Sequence, residues 1–254
     1  MSELVITEQA GGVLTLTLNR PEKKNALTDA MYAALADAME AAESDPAVRV
    51  IAFRGAGDLF CAGNDIGDFL AAASADIGAA NVFRFIRLLG SAGKPLVAGV
   101  QGRAVGIGTT MLLHCDHVVL AEDAQLSTPF VGLGLVPEAA SSLILPAVIG
   151  HQRAFSMLAL GEPMGAGEAL AAGLANAVVP NDQLDAAMHA ATALIAALPP
   201  GAVQATKALM RDRAAVAAKM EAEIEVFARR LQSPEAREAF TAFLQKRAPD
   251  FSQF

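Results

Sequence analysis

Three short stretches of this 254-residue chain combine glycine with polar groups at spacings that could do chemistry. Gly55–Ile66, GAGDLFCAGNDI, follows an apolar run that reads as a buried strand. Loops at strand ends are where α/β proteins place ligands. Gly63 would let backbone N–H groups approach a substrate closely, although a tight strand-to-helix turn with Asp65 as N-cap explains the same residues. Gly99–Gly108, GVQGRAVGIG, follows a second buried run and opens a helix at Thr109. Such a turn exposes N–H groups at a helix N-terminus, which suits an anion or a developing oxyanion. Close packing of helix on strand explains one glycine more comfortably than four. The spacing matches neither GxGxxG nor the P-loop, so dinucleotide and nucleotide binding lose support. Gly132–Ser142, GLGLVPEAASS, reads as a loop entering a helix with Pro137 at its first position. Glu138 is then either a first-turn acid serving the helix dipole or a candidate acid/base.

His114 and His117 flank Cys115 and Asp116, the one cluster that raises the question of a metal. No third ligand lies near in sequence, and zinc demands three or four, so no metal site is expected. Cys61 lacks an accompanying His and Asp set and reads as a small buried residue.

The elements that must position these loops follow from periodicity. Val13–Asn19 alternates Leu14, Leu16 and Leu18 against Thr15 and Thr17, a half-buried strand. Thr28 or Asp29 suits the N-cap of a helix reaching about Ala42. Val48–Phe53, Leu96–Val100, His117–Ala121 and Asn176–Val179 are apolar runs expected of strands buried on both faces. Helical patterns lie between them at Asn81–Leu89, Thr109–Leu113, Ala140–Ile149, Arg153–Ala159 and Ala166–Ala172. This alternation indicates an α/β class. After Pro199-Pro200-Gly201 the strand signals stop. Gly201–Leu231 and Glu235–Lys246 read as two helices parted by Ser233-Pro234, so 1–198 is expected to form a core and 199–254 a helical appendix.

Composition bounds the function. With 54% hydrophobic and 18% charged residues a large core is available. The net charge of −8 disfavours nucleic acid, whose binders present clustered Lys and Arg. No apolar run has the length of a membrane span and no leader is evident at MSELVITEQA. Two cysteines make no disulfide framework, so a cytoplasmic location is expected.

Taken together and in order, several motifs resemble the crotonase (enoyl-CoA hydratase/isomerase) family from residue 13 onward. They are RPEKKNAL at 20–27, FCAGNDI at 60–66, KPLVAGVQG at 94–102, AVGIG at 104–108 with Cys115-Asp116, AQLSTP at 124–129, GLGLVP at 132–137 and AFLQKRAPDF at 242–251. The resemblance implies a spiral of ββα units with a C-terminal helical trimerisation region. It also implies an acyl-CoA thioester ligand of fatty acid β-oxidation, no cofactor besides the CoA of the substrate, and a homotrimer or dimer of trimers. By the same resemblance the backbone N–H groups of Asn64 and Ile107 form an oxyanion hole. Lys24, Ala26, Ala62, Asp65, Ile66, Gly106 and Phe130 border CoA or substrate, and Phe243 and Lys246 form a C-terminal patch that meets CoA. Gly67–Ala80 is expected to lie over the acyl pocket.

Family hydratases use two glutamates, one to activate water and one to manage the C2 proton. Those positions hold Thr110 and Phe130 here. Glu138 sits where Δ3,Δ2-enoyl-CoA isomerases carry their single catalytic glutamate, so the resemblance implies an isomerase. The alternatives are a hydratase drawing on Glu138 with Asp65 or Asp68, and an acyl-CoA-binding homologue without turnover. A helix N-terminus would lower the pKa of Glu138, whereas its apolar neighbours Phe130, Leu133 and Leu135 would raise it.

Overall fold

A computed structural model describes residues 3–67 and 80–254. Six strands form the main sheet, in the order β1 (Val5–Ala10), β2 (Val13–Leu18), β3 (Val50–Gly55), β4 (Leu96–Val100), β6 (His117–Ala121) and β9 (Ala177–Val179). The β1–β2 pair is an antiparallel hairpin and every other pairing in this sheet is parallel. A small second sheet joins β5 (Arg103–Val105), β7 (Gln125–Ser127) and β8 (Met164–Gly165). Twice, a main-sheet strand hands over within a few residues to a strand of the small sheet: β4 to β5, and β6 to β7. Helices lead the chain back each time, which gives a spiral of ββα units.

The helices are α1 (Asp29–Ser44), α2 (Asn81–Ser91), α3 (Ile107–Thr110), α4 (Ser141–Ile149), α5 (His151–Leu158), α6 (Ala166–Ala172), α7 (Leu184–Ala197), α8 (Pro200–Met210), α9 (Arg213–Leu231) and α10 (Pro234–Leu244). Thr28 caps α1, its hydroxyl accepting the Met31 N–H at 3.3 Å. β3 is buried on both faces for a visible reason. Ile51 and Phe53 face the main core with Leu16, Leu35 and Phe85, while Val50 and Ala52 face Met188 and Ala196 of α7. The main core also takes in Met220, Ile224 and Phe227 of α9 and Phe240 of α10, so the C-terminal helices share it.

Gly201–Leu231 departs from the single helix expected. It breaks at Arg211-Asp212 into α8 and α9. Asp212 caps α9 by accepting the Ala215 N–H at 2.9 Å. Arg211, in an extended conformation, turns its guanidinium onto the Leu113 carbonyl (2.5 Å) and His114 Nδ1 (3.2 Å). No single described helix is long and apolar enough to cross a membrane.

Candidate active site

Residues 20–27 prepare the first loop. Asn25 is fully buried, and its amide donates to the carbonyls of Ala56 (2.8 Å), Leu59 (2.9 Å) and Phe60 (3.2 Å). Its carbonyl accepts the Arg20 N–H, and Arg20 in turn pairs with Asp65 at 2.8 Å. The loop from Cys61 to Asn64 is thereby tied down at both ends.

The second loop is laced to the first. Cys61 N–H donates to Arg103, and Val105 N–H donates back to Cys61. Two glycines allow the contact. Gly63 has φ +89°, and a Cβ there would sit 3.1 Å from the Val105 carbonyl oxygen; a Cβ on Gly108 would sit 2.8 Å from that of Cys61. The hydrogen bonds of the two loops leave the N–H groups of Asn64 and Ile107 without an acceptor among the described residues. Both residues line one cavity of about 840 Å³. Two unsatisfied N–H groups at one cavity wall are what a developing oxyanion requires.

Glu138 lines the same cavity and is only 4% exposed. It does not occupy a first helical turn behind Pro137 at N1, as the sequence suggested, because α4 starts only at Ser141. Glu138 instead begins a four-residue turn closed by the Ser141 N–H on the Glu138 carbonyl at 3.0 Å. The two central residues, Ala139 and Ala140, both have positive φ (58° and 53°). Two alanines in that region cost about 1–2 kcal/mol each, so surrounding bonds must hold the turn.

One carboxylate oxygen, Oε1, accepts the Thr110 hydroxyl at 2.5 Å. The other, Oε2, is buried without a partner among the described residues. Burial outweighs the Thr110 bond and, with the negative charge of Glu223 adding to it, pushes the carboxyl up to about 8. The conflict between helix dipole and apolar surroundings is thus settled for the latter, since the residue is outside the helix. Such a carboxyl is poised to exchange a proton near neutral pH.

Asp65, the other carboxylate among the described cavity residues, is engaged by Arg20. The Tyr32 hydroxyl, raised chiefly by burial, donates to the side chain of Asn64. Burial pushes the Cys61 thiol up to about 12, so it is no nucleophile. His114 is fully buried and held well below its ordinary pKa, at about 3, by burial and the Arg211 charge. Among the described residues no three His, Cys, Asp or Glu side chains cluster as a metal site.

Of the sequence-derived set, Ala26, Ala62, Asn64, Asp65, Ile66, Gly106, Ile107, Phe130, Glu138 and Phe243 line the cavity. Lys24 and Lys246 are not among the described lining residues; Lys23 occupies the rim instead. Asp68 and all of Gly67–Ala80 except its two end residues lie outside the described residues. Phe227 of α9 and Phe240 and Leu244 of α10 also line the cavity and were not anticipated. Their only sequence signal is the apolar face of an amphipathic helix, which looks the same over a core as over a ligand.

The enoyl-CoA hydratase/isomerase family profile matches residues 8–254. The chain is 34% identical over 253 residues to rat enoyl-CoA delta isomerase 2, covering 97% of this chain and 64% of that protein's length. It is 36% identical over 257 residues to 2,3-dehydroadipyl-CoA hydratase of Escherichia coli K12, covering 99% of each. A crystal structure of an enoyl-CoA hydratase/isomerase from Pseudoalteromonas atlantica T6c superposes with a TM-score of 0.93 at 40% identity, covering 98% of this chain and 100% of that one. The glycine-tied loops and buried acid therefore sit within a shared scaffold, the crotonase fold, and the chain belongs to the enoyl-CoA hydratase/isomerase family, whose members act on acyl-CoA thioesters.

Proposed function

We propose that the chain is a Δ3,Δ2-enoyl-CoA isomerase with Glu138 as its single acid/base. The observation that carries this reading is the buried Oε2 of Glu138, without a partner among the described residues, in a cavity that Phe130 also lines and with Thr110 bonded to the other oxygen. By the family resemblance Thr110 and Phe130 stand where hydratases carry their two acids. Ionised Glu138 takes a proton from C2 of a 3-enoyl thioester. The C2–H electron pair delocalises onto the thioester oxygen, held by the N–H groups of Asn64 and Ile107. The dienolate then collapses with protonation at C4 by the same carboxyl, which leaves a 2-enoyl thioester and an ionised Glu138. Each well-placed donor contributes about 3–4 kcal/mol to such a transition state. The cycle uses no metal or redox cofactor.

Hydration is the second reading, favoured by the similarity to 2,3-dehydroadipyl-CoA hydratase. It needs a second acid, and Asp65 is engaged by Arg20 at 2.8 Å. The exposed Leu209 and Met210 on α8 fit a homotrimer that covers them, which light scattering would check.

The test is isomerisation of trans-3-hexenoyl-CoA beside hydration of crotonyl-CoA, for wild type and Glu138→Gln. Isomerase turnover that drops at least about a hundredfold in kcat in the variant supports the reading. A wild type that hydrates crotonyl-CoA but leaves the 3-enoyl substrate unchanged refutes it.

A further inference from the structure

The turn that carries Glu138 is gripped through one peptide group. The Ala139 carbonyl accepts from His114 Nε2 at 2.8 Å, and the N–H of the same peptide, on Ala140, donates to Glu223 Oε2 at 2.6 Å. The other oxygen of Glu223 accepts the Ser142 N–H (3.0 Å) and hydroxyl (2.5 Å). The roles in this network are forced. A carbonyl only accepts, so the imidazole carries its proton on Nε2. Arg211 only donates, so Nδ1 is bare and the ring is neutral.

His114 reaches the turn from the stretch after α3, and Glu223 reaches it from the middle of α9. Both are buried. Neither touches the cavity, and the mechanism above uses neither. Ala139 and Ala140 would not hold their left-handed conformation unaided, and any relaxation of that pair swings Glu138.

We propose that His114 and Glu223 are positioning residues that clamp the Ala139–Ala140 peptide and so aim the Glu138 carboxylate at substrate. This rests on Glu138 being the base. An ordinary helix cap on α4 would account for the Ser142 bonds of Glu223. It would not account for a bond on each side of a single strained peptide next to the base.

The two residues leave different signatures, because Glu223 carries charge and His114 does not. The groups facing them are Lys219 on Glu223, Arg211 and Lys207 on His114, and Thr110, Tyr32 and Glu223 around Glu138. Glu223 raises the pKa of Glu138, so its neutralisation lets Glu138 ionise at lower pH.

Four proteins test the clamp: wild type, Glu223→Gln, His114→Phe, and Asp212→Ala as a control that weakens the start of α9 without touching the turn. Glu223→Gln leaves an amide donor facing either the Ala140 or the Ser142 N–H. Its kcat on trans-3-hexenoyl-CoA is expected to fall about tenfold to a hundredfold, with KM changed less than about threefold. The acid limb of its kcat/KM profile moves to lower pH. His114→Phe loses kcat similarly with the limb in place. Asp212→Ala loses stability but keeps both.

Two readouts need no substrate: hydrogen exchange at the Ala140 amide, and the 13C titration of the Glu138 carboxyl. Both shift in Glu223→Gln and not in Asp212→Ala. If wild type fails to turn over but these shifts appear, the base assignment has failed and the clamp has not. If Glu223→Gln matches Asp212→Ala in kcat, acid limb and amide exchange, the clamp is overturned. A His114→Phe protein with wild-type kcat removes the histidine's part in it.

Discussion

Thr110 offers the sharpest test of how the site sets its own pH range. Its hydroxyl donates to Glu138 Oε1 at 2.5 Å, and the residue is fully buried. Val is nearly isosteric with Thr, so Thr110→Val removes the donor and leaves the packing. With the carboxyl at about 8, roughly one tenth of wild-type Glu138 is ionised at pH 7. A hydrogen bond to a charged group contributes about 1.5–3 kcal/mol. At about 1.4 kcal/mol per pH unit, its loss moves the carboxyl up by about one to two units. The ionised fraction at pH 7, and kcat/KM with it, then falls about tenfold to a hundredfold. The two enzymes converge only as pH passes the variant's raised value, about one to two units above 8, because the base is the same once ionised. The assay is kcat/KM for trans-3-hexenoyl-CoA from pH 6 to 10, which reports the free enzyme's ionisation. Superimposable profiles, or a limb displaced to lower pH in the variant, would refute the account of Thr110 as the bond that keeps Glu138 usable.

The buried acid should also cost stability at alkaline pH. The carboxyl titrates at about 8 when folded against an ordinary 4.5, so its favourable contribution is full below 4.5 and lost as pH rises through 8. Urea unfolding should therefore find Glu138→Gln level with wild type near pH 4 and more stable by a few kcal/mol, to order of magnitude, near pH 9. Gly63→Ala forces a side chain to φ +89° and against the Val105 carbonyl. It should lower stability by about 1–2 kcal/mol and kcat by about a hundredfold, read by thermal melts and by turnover, because it displaces the next peptide N–H, that of Asn64, one of the two proposed oxyanion donors.

What the sequence disclosed divides along physical lines. Long apolar or alternating runs survive folding unchanged, so β2, β4 and β6 fall where the periodicity places them, and β3 is displaced by only two residues, to Val50–Gly55. β1 was missed because VITEQA exposes most of its side chains. β5, β7 and β8 span only two or three residues each, too short for any period to register. α7, LDAAMHAATALIAA, is so rich in alanine that it shows little helical contrast between its faces. At the site, the two glycine-rich loops announce themselves through residue type, and Glu138 through its place in GLGLVPEAASS. The left-handed pair at Ala139 and Ala140 carries no signal, since alanine is an ordinary helix former and only tertiary bonds select that conformation. His114 and Glu223 are invisible for a related reason: each matters through one peptide group far away in sequence.

On the proposed mechanism the oxyanion donors are peptide N–H groups, which has consequences for redesign. Substitution at 64 or 107 cannot delete them unless proline is introduced, and the interlocking of Cys61, Gly63, Arg103 and Val105 fixes their spacing whatever side chains sit nearby. Charge stabilisation and proton handling are thus written in separate parts of the chain. On that mechanism the reaction type would be rewritten at 110, 130 and 138 while the thioester remained polarised by the same two amides. Moving from double-bond migration to water addition would then require carboxyls at 110 and 130 but no new backbone.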